Sequence, residues 1–226
     1  MGLAGTGAVA IWHDIAPDGR IAFYDWHGNE HMPERVAIPG FRRGRRYVAI
    51  EADLEFFNLY EADTPEVLTG PDYLARLNDP TPWTVETVKH FRHVARSICR
   101  VAASLGPGQG GLAATLRYDV PEGAEAHHIE TMTGDVLPGL IADKHVAGAH
   151  LLIADADASA VDTAERKARG EANRIPRWIV VVEGWGDEDR FLGHCAACLQ
   201  ADRLGPVDRP DAPGFYRLQA TATPPG

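Results

Sequence analysis

Residues 45–60 read Arg45-Arg-Tyr-Val-Ala-Ile-Glu-Ala-Asp-Leu-Glu-Phe-Phe-Asn-Leu-Tyr60. Two β-rich runs, Arg45 to Ala52 and Leu54 to Tyr60, are separated only by the short gap around Ala52-Asp53, which predicts a hairpin. Before the hairpin, Gly7-Ala-Val-Ala-Ile-Trp-His13 reads as a strand and Pro17-Asp18-Gly19 as a turn. Residues Ile21 to Arg35 read as a helix. Pro33 would remove a backbone bond and clash with the preceding turn, so the helix is expected to kink or end near it. Pro39-Gly40 closes the segment. After the hairpin, Thr64-Pro65-Glu66 predicts a helix start, with Thr64 as N-cap and Pro65 at the first helical position. A Pro-rich stretch (Pro80, Pro82) follows, and His93 to Leu105 reads as a closing strand. The order β-α-β-β-α-β is the ferredoxin-like signature.

Gly106-Pro107-Gly108-Gln109-Gly110-Gly111 is the most loop-like run in the chain and predicts a boundary between residues 1–106 and 107–226. Beyond it the pattern restarts. Leu112 to Val120, Ala149 to Ile153, Trp178 to Glu183 and Gly214 to Thr223 read as strands. Glu122 to Leu140 contains a helix, and Asp187 to Leu204 reads as another. Val161 to Ala172 is a charged insertion, helix or loop. The expected fold class is α+β: two ferredoxin-like repeats packed sheet to sheet as a single-chain barrel, because each sheet leaves one partly apolar face uncovered.

Composition narrows the function. The 226 residues carry a formal charge of −10, which disfavours nucleic acid, the short cluster Arg42, Arg43, Arg45, Arg46 being the exception. Three cysteines, Cys99, Cys195 and Cys198, form no disulfide framework and fit a reducing cytoplasm. No apolar run approaches the length of a membrane span, and no secretory signal is visible. Met1-Gly2 with Thr6 matches a myristoylation pattern literally, but these residues lead directly into a strand.

Trp26-His27-Gly28-Asn29-Glu30-His31-Met32-Pro33-Glu34, followed by Ile38-Pro39-Gly40-Phe41, Arg45-Arg46-Tyr47, Tyr60-Glu61 and Tyr73-Leu74-Ala75-Arg76-Leu77-Asn78, resembles the EthD-like branch of the dimeric α/β-barrel superfamily. The match covers about residues 7–105. The second half keeps the architecture without the motif: His127-His128-Ile129-Glu130 lacks the Trp-His-x-x-Glu-His spacing. The superfamily includes polyketide cyclases, monooxygenases, muconolactone isomerases and haem-binding members. The resemblance therefore implies a barrel with a small-molecule cavity more than it implies one reaction. Its members are usually homodimers; a fused chain is expected to be a monomer or homodimer, with cavity residues concentrated in its first half.

Within the motif, His27 and His31 share a helix face and are candidate acid and base, with Glu30 as an orienting partner. Trp26, Arg43, Arg46, Tyr47, Tyr60 and Trp83 are candidate substrate-binding residues. Alternation sends Arg45 and Tyr47 to one strand face and Arg46 and Val48 to the other. His27-Gly-Asn-Glu-His31 also matches a zinc-peptidase pattern, but Gly28 and Pro33 weaken the helix that pattern needs, and no metal is expected. Cys195-Ala-Ala-Cys198 lies in an apolar helical stretch and reads as packing. No Gly-rich phosphate loop occurs, so no cofactor is expected. These features lead to a cytoplasmic small-molecule enzyme using proton transfer on an apolar or aromatic carbonyl compound, as a cyclase, isomerase or cofactor-free monooxygenase. A non-catalytic binding protein and a haem-binding barrel are the alternatives.

Overall fold

The computed structural model describes residues 2–226. Its strands are β1 (Gly7–Ile15), β2 (Phe41–Glu51), β3 (Phe56–Ala62), β4 (Phe91–Leu105), β5 (Leu112–Tyr118), β6 (Val146–Asp155), β7 (Trp178–Gly184) and β8 (Gly214–Ala222). They form one closed antiparallel barrel in the order β1-β3-β2-β8-β5-β7-β6-β4. This is two ferredoxin-like sheets, β4-β1-β3-β2 and β8-β5-β7-β6, whose edges are joined by β2–β8 and β4–β6 pairing. The expected fold class is therefore the observed one, and the sheets share hydrogen-bonded edges as well as facing each other. The 106–111 run joins β4 to β5. Gly106 has φ +93°, and an added Cβ would lie 2.3 Å from the Ala147 carbonyl oxygen, so glycine is required there.

Helix α1 runs Arg20–Trp26, widens into a π-helical turn at His27–His31 and finishes as Met32–Val36. Helix α4 of the second repeat does the same, from Glu125–Thr131 through Met132–Val136 to Leu137–Ile141. In both, a proline sits two residues after the π turn (Pro33, Pro138). A proline ring clashes with the carbonyl four residues back, and a wider turn relieves that clash. The kink expected at Pro33 is thus a π turn, and the helix continues through it.

Two local expectations need correction. Thr64 precedes a 3-10 turn (Pro65–Thr69) and its side chain makes no cap; the α-helix, α2, starts at Pro71 and ends at Asn78. The Pro-rich stretch is a helix, α3 (Pro82–Val88), because Thr81 Oγ1 accepts from the Thr84 amide and Pro82 occupies the first turn, where no N–H is needed. Helix α5 (Ala156–Ala160), capped by Asp155, follows β6, and the charged insertion after it contains α6 (Ala164–Arg169), capped by Thr163. Helix α7 covers Glu188–Cys198.

The barrel interior is filled. At one end Trp12, Phe57 and Tyr47 stack, with ring centroids 4.9 and 5.4 Å apart. At the other end lies a buried ion cluster. Arg43 Nη2 and Arg45 Nη2 donate to the Glu61 carboxylate at 2.6 and 2.8 Å, and Arg45 also pairs with Glu183. The Ala4 amide donates to Glu61 Oε2 at 2.7 Å. Two guanidinium groups thus face two carboxylates away from water, an arrangement that holds only while each charge has its partner. We expect Glu61→Gln to lower unfolding stability by about 3–5 kcal/mol, read from the urea midpoint; a loss under about 1 kcal/mol would mean that the cluster is not a buried charge network.

Candidate functional site

The outer face of the first sheet lies under α1. Strand register sets Val9 beside Tyr60, Ile11 beside Asn58 and His13 beside Phe56, with Arg46 flanking Asn58 from β2. Gly44 gives Tyr60 its place, since a Cβ there would lie 2.8 Å from the tyrosine ring. The π turn sets His27 and His31 over this face, with ring centroids 5.5 Å apart. Between helix and sheet is a cavity of about 50 Å³ lined by Trp26, His27, His31, Asn58 and Tyr60 among others.

Hydrogen bonding fixes the tautomer of His27. Arg46 Nη1 lies 3.1 Å from His27 Nδ1. A guanidinium only donates, so Nδ1 accepts and the proton sits on Nε2. Nε2–H therefore donates to the Tyr60 hydroxyl oxygen at 3.3 Å, which leaves the Tyr60 O–H free to donate elsewhere. Arg46 is itself held by Gln219, whose Oε1 accepts from Arg46 Nε at 2.8 Å. Gln219 stands at a β-bulge between β2 and β8, so the second repeat supplies this brace. Behind His27, His13 accepts from Asn58 Nδ2 at 3.0 Å through Nε2 and donates to the Asp14 carbonyl at 3.3 Å. Three buried atoms of residues lining the cavity are left without partners: His31 Nδ1, Asn58 Oδ1 and Arg169 Nε.

Burial is the main reason all three imidazoles stay neutral. His27 is lowered well below its ordinary value by burial and then by Arg46; His31 is lowered by burial and then by Arg35. His13 is pushed down to about 3 by burial, against the partial opposition of the Asp14 backbone. Burial also raises the Tyr60 hydroxyl, so it remains a protonated donor at neutral pH.

The candidate residues divide. Trp26, His27, His31, Arg46 and Tyr60 come together. Glu30 points to α3, where its carboxylate accepts from Thr81 Oγ1 at 2.6 Å and Thr84 Oγ1 at 3.2 Å. Thr84 Oγ1 in turn accepts from Trp26 Nε1 at 3.0 Å, so Glu30 steadies Trp26 without touching either histidine. Arg43 and Tyr47 lie on the opposite sheet face, inside the barrel. Their odd-numbered alternation with Arg45 carries them there. Trp83 is 40% exposed and lies outside the cavity lining. The sequence reading passed over Asn58, two residues before Tyr60 on the same face and legible by alternation alone. It also passed over Arg35, Arg96, Glu165 and Arg169, which only the fold brings together.

The equivalent place in the second repeat is apolar: Met132, Val136 and Val182 stand where the first has His27, His31 and Tyr60, and all three are packed in one hydrophobic cluster. Cys195 and Cys198 belong to that cluster, and burial raises both thiols. Among the described residues, no group of three or more histidine, cysteine, aspartate or glutamate side chains could hold a metal ion. No helix there is long and apolar enough to cross a membrane.

No family model matches the sequence, and no curated protein matches it. Solved structures do match. An anthrone oxidase-like protein shares 11% identity at a TM-score of 0.60, over 96% of this chain and 92% of its own. A candidate monooxygenase from Fusobacterium nucleatum shares 6% at 0.59, over 98% and 96%. A haem-binding protein from Thermus thermophilus shares 10% at 0.54, over 96% and 92%. The fold is that of the dimeric α/β barrel. Identities this low establish the architecture alone.

The neutral histidines have a consequence for stability. Each takes a proton near pH 6.5 once unfolded and only at far lower pH when folded. Below pH 6.5 the unfolded chain thus binds more protons, so their contribution is full above that value and is lost as pH falls toward the folded values. At pH 5.5 the three together should cost about 4 kcal/mol relative to pH 7.5, at ~1.4 kcal/mol per histidine. Urea unfolding at both pH values measures this, and a flat profile would show that the imidazoles titrate in the fold as they do in the unfolded chain.

Proposed function

We propose that this protein is a small-molecule enzyme that moves a proton on a carbonyl compound, within the EthD-like branch that the first-half motif resembles. The observation that carries this reading is the pair of unlike groups left free in one small cavity. Tyr60 has an O–H with no acceptor, because His27 occupies its oxygen as a donor. His31 has a buried ring nitrogen with no partner. A substrate carbonyl placed against Tyr60 would receive its hydrogen bond, and charge developing on the enolate oxygen would be stabilised there. His31, neutral and desolvated, would take the proton from the adjacent carbon and return it at a second position or to product. His27 is a positioning residue: it holds the Tyr60 oxygen and is itself fixed by Arg46. Trp26, with its ring centroid 4.3 Å from that of His31, forms the wall and supports an apolar or aromatic substrate.

Haem does not fit this site. The cavity is about 50 Å³ and the one beside it about 170 Å³, too little together for a planar tetrapyrrole, and both nitrogens of His27 are engaged. The guanidinium beside them also repels a metal cation.

Proton transfer can be read without knowing the natural substrate. We expect the protein to accelerate exchange of the α-protons of an enolisable aromatic ketone such as 2-tetralone in deuterated buffer, followed by NMR. His31→Gln and Tyr60→Phe should each lower the protein-dependent rate by about 10²–10³-fold. Ketone binding seen by saturation transfer with no exchange above buffer would favour a binding protein and overturn the catalytic reading.

A further inference from the structure

The His27–His31 cavity adjoins a second one of about 170 Å³, and the two share Leu77, Arg96, Glu165 and Arg169 in their linings. The outer cavity lies between α2, β4 and the inserted helices α5 and α6. Its walls are apolar in part, with Leu68, Leu74, Ile98 and Val161. Its polar lining is cationic. Across the two cavities the lining includes Arg35, Arg96, Arg166 and Arg169 against a single carboxylate, Glu165.

That carboxylate is already committed. Glu165 pairs with Arg35, which is 3% exposed and also meets Glu34. The remaining three arginines have neutral partners. Arg96 Nη2 donates to the Tyr73 hydroxyl at 2.9 Å, Arg166 Nη1 to the Ala160 carbonyl at 2.7 Å, and Arg169 Nη2 to Asn173. Arg169 Nε is buried and makes no hydrogen bond at all. In a chain of net charge −10, three guanidinium groups without counter-ions converge on one partly apolar cleft. Placing like charges together costs free energy unless an anion joins them. Burial and its cationic neighbours Arg96 and Arg166 lower Arg169 to about 10, against the opposing pull of Glu165.

We infer that Arg96 and Arg169, with Arg166 at the mouth, bind the carboxylate of a small amphipathic ligand whose apolar body lies along Leu68, Leu74 and Ile98. Planar guanidinium forks match a carboxylate in geometry as well as charge. The apolar walls favour an organic monoanion over a free phosphate. The site needs both repeats, because Arg96 comes from β4 and Arg166 and Arg169 from α6. The assignment rests on the cavity named under the proposed function, and it extends the substrate class from a carbonyl compound to one that also carries a carboxylate.

Calorimetric titration with matched pairs tests it: 2-naphthoate against 2-naphthamide, phenylacetate against phenylacetamide, and inorganic phosphate alone. We expect each carboxylate to bind at least tenfold more tightly than its amide, and phosphate to give no measurable heat. Arg169→Gln and Arg96→Gln should each weaken carboxylate binding at least tenfold while leaving the amide unchanged, and Arg169→Lys should restore part of the loss. The amide titration also shows that each variant is folded. Equal binding of acid and amide, no binding of either acid, tight binding of phosphate, or unchanged carboxylate binding in both Gln variants would overturn the inference. His31→Gln should leave naphthoate affinity intact, so failure of this site and failure of the proton-transfer reading give different results.

Discussion

Each ferredoxin-like sheet ends in two strands with an unpaired edge, and exposed N–H and C=O groups there must find partners or water. In this chain β8 takes the open edge of β2 and β6 takes that of β4, so the barrel has no free edge. The position of the site follows from that closure. Because β6 runs beside β4, the chain leaving β6 at Asp155 emerges next to the outer face of β4, and the insertion returns along it. Arg96 N–H donates to the Arg174 carbonyl, and the Arg174 amide donates to the Val94 carbonyl, both at 2.9 Å. These contacts place α6, with Glu165 and Arg169, over the first repeat. The pairing of β8 with β2 likewise brings Gln219 to Arg46.

The two repeats share a backbone plan down to the π turn and the proline that follows it, yet they use it differently. In the second repeat the helix-to-sheet layer is closed by Met132, Val136, Leu140, Trp178 and Phe191. Its buried polar pair, Tyr118 and His128, is satisfied internally: the hydroxyl meets His128 Nε2 at 2.9 Å and His128 Nδ1 meets the Leu204 carbonyl at 3.0 Å. In the first repeat the same layer keeps unpartnered polar atoms. Burying such atoms costs free energy, a cost that Tyr118 and His128 do not carry in the second repeat. The asymmetry separates a repeat whose helix-to-sheet layer is filled by apolar packing from one whose layer holds a polar cavity.

The barrel interior adds a second constraint. Arg43, Arg45 and Tyr47 of β2 point inward and meet Glu61 and Glu183, from strands of both repeats. Arg45 keeps its proton firmly: burial opposes the charge, but Tyr47, Glu183 and Glu61 outweigh it. Sequence motifs that run Arg-Arg-Tyr across a strand therefore divide between two jobs, with Arg46 serving the site and its neighbours locking the two sheets to one another.

Strand runs, the hairpin at Ala52-Asp53, the element order and the pairing of His27 with His31 were legible in the sequence because each is a local pattern. Alternation fixes which residues share a strand face, and helical spacing fixes which share a helix face, whatever the rest of the chain does. It placed Arg46 apart from Tyr47 correctly, but it could not say which face lies under α1 and which lies in the barrel. Pro82 and Thr64 misled because a proline near a threonine marks a helix start only where the cap closes, and cap geometry depends on what the segment packs against. The arrival of Arg96 beside Arg169, the brace from Gln219 and the neutral state of His13, His27 and His31 depended on tertiary structure alone. They arise from residues far apart in sequence and from exclusion of water, and neither has a period that a sequence can display.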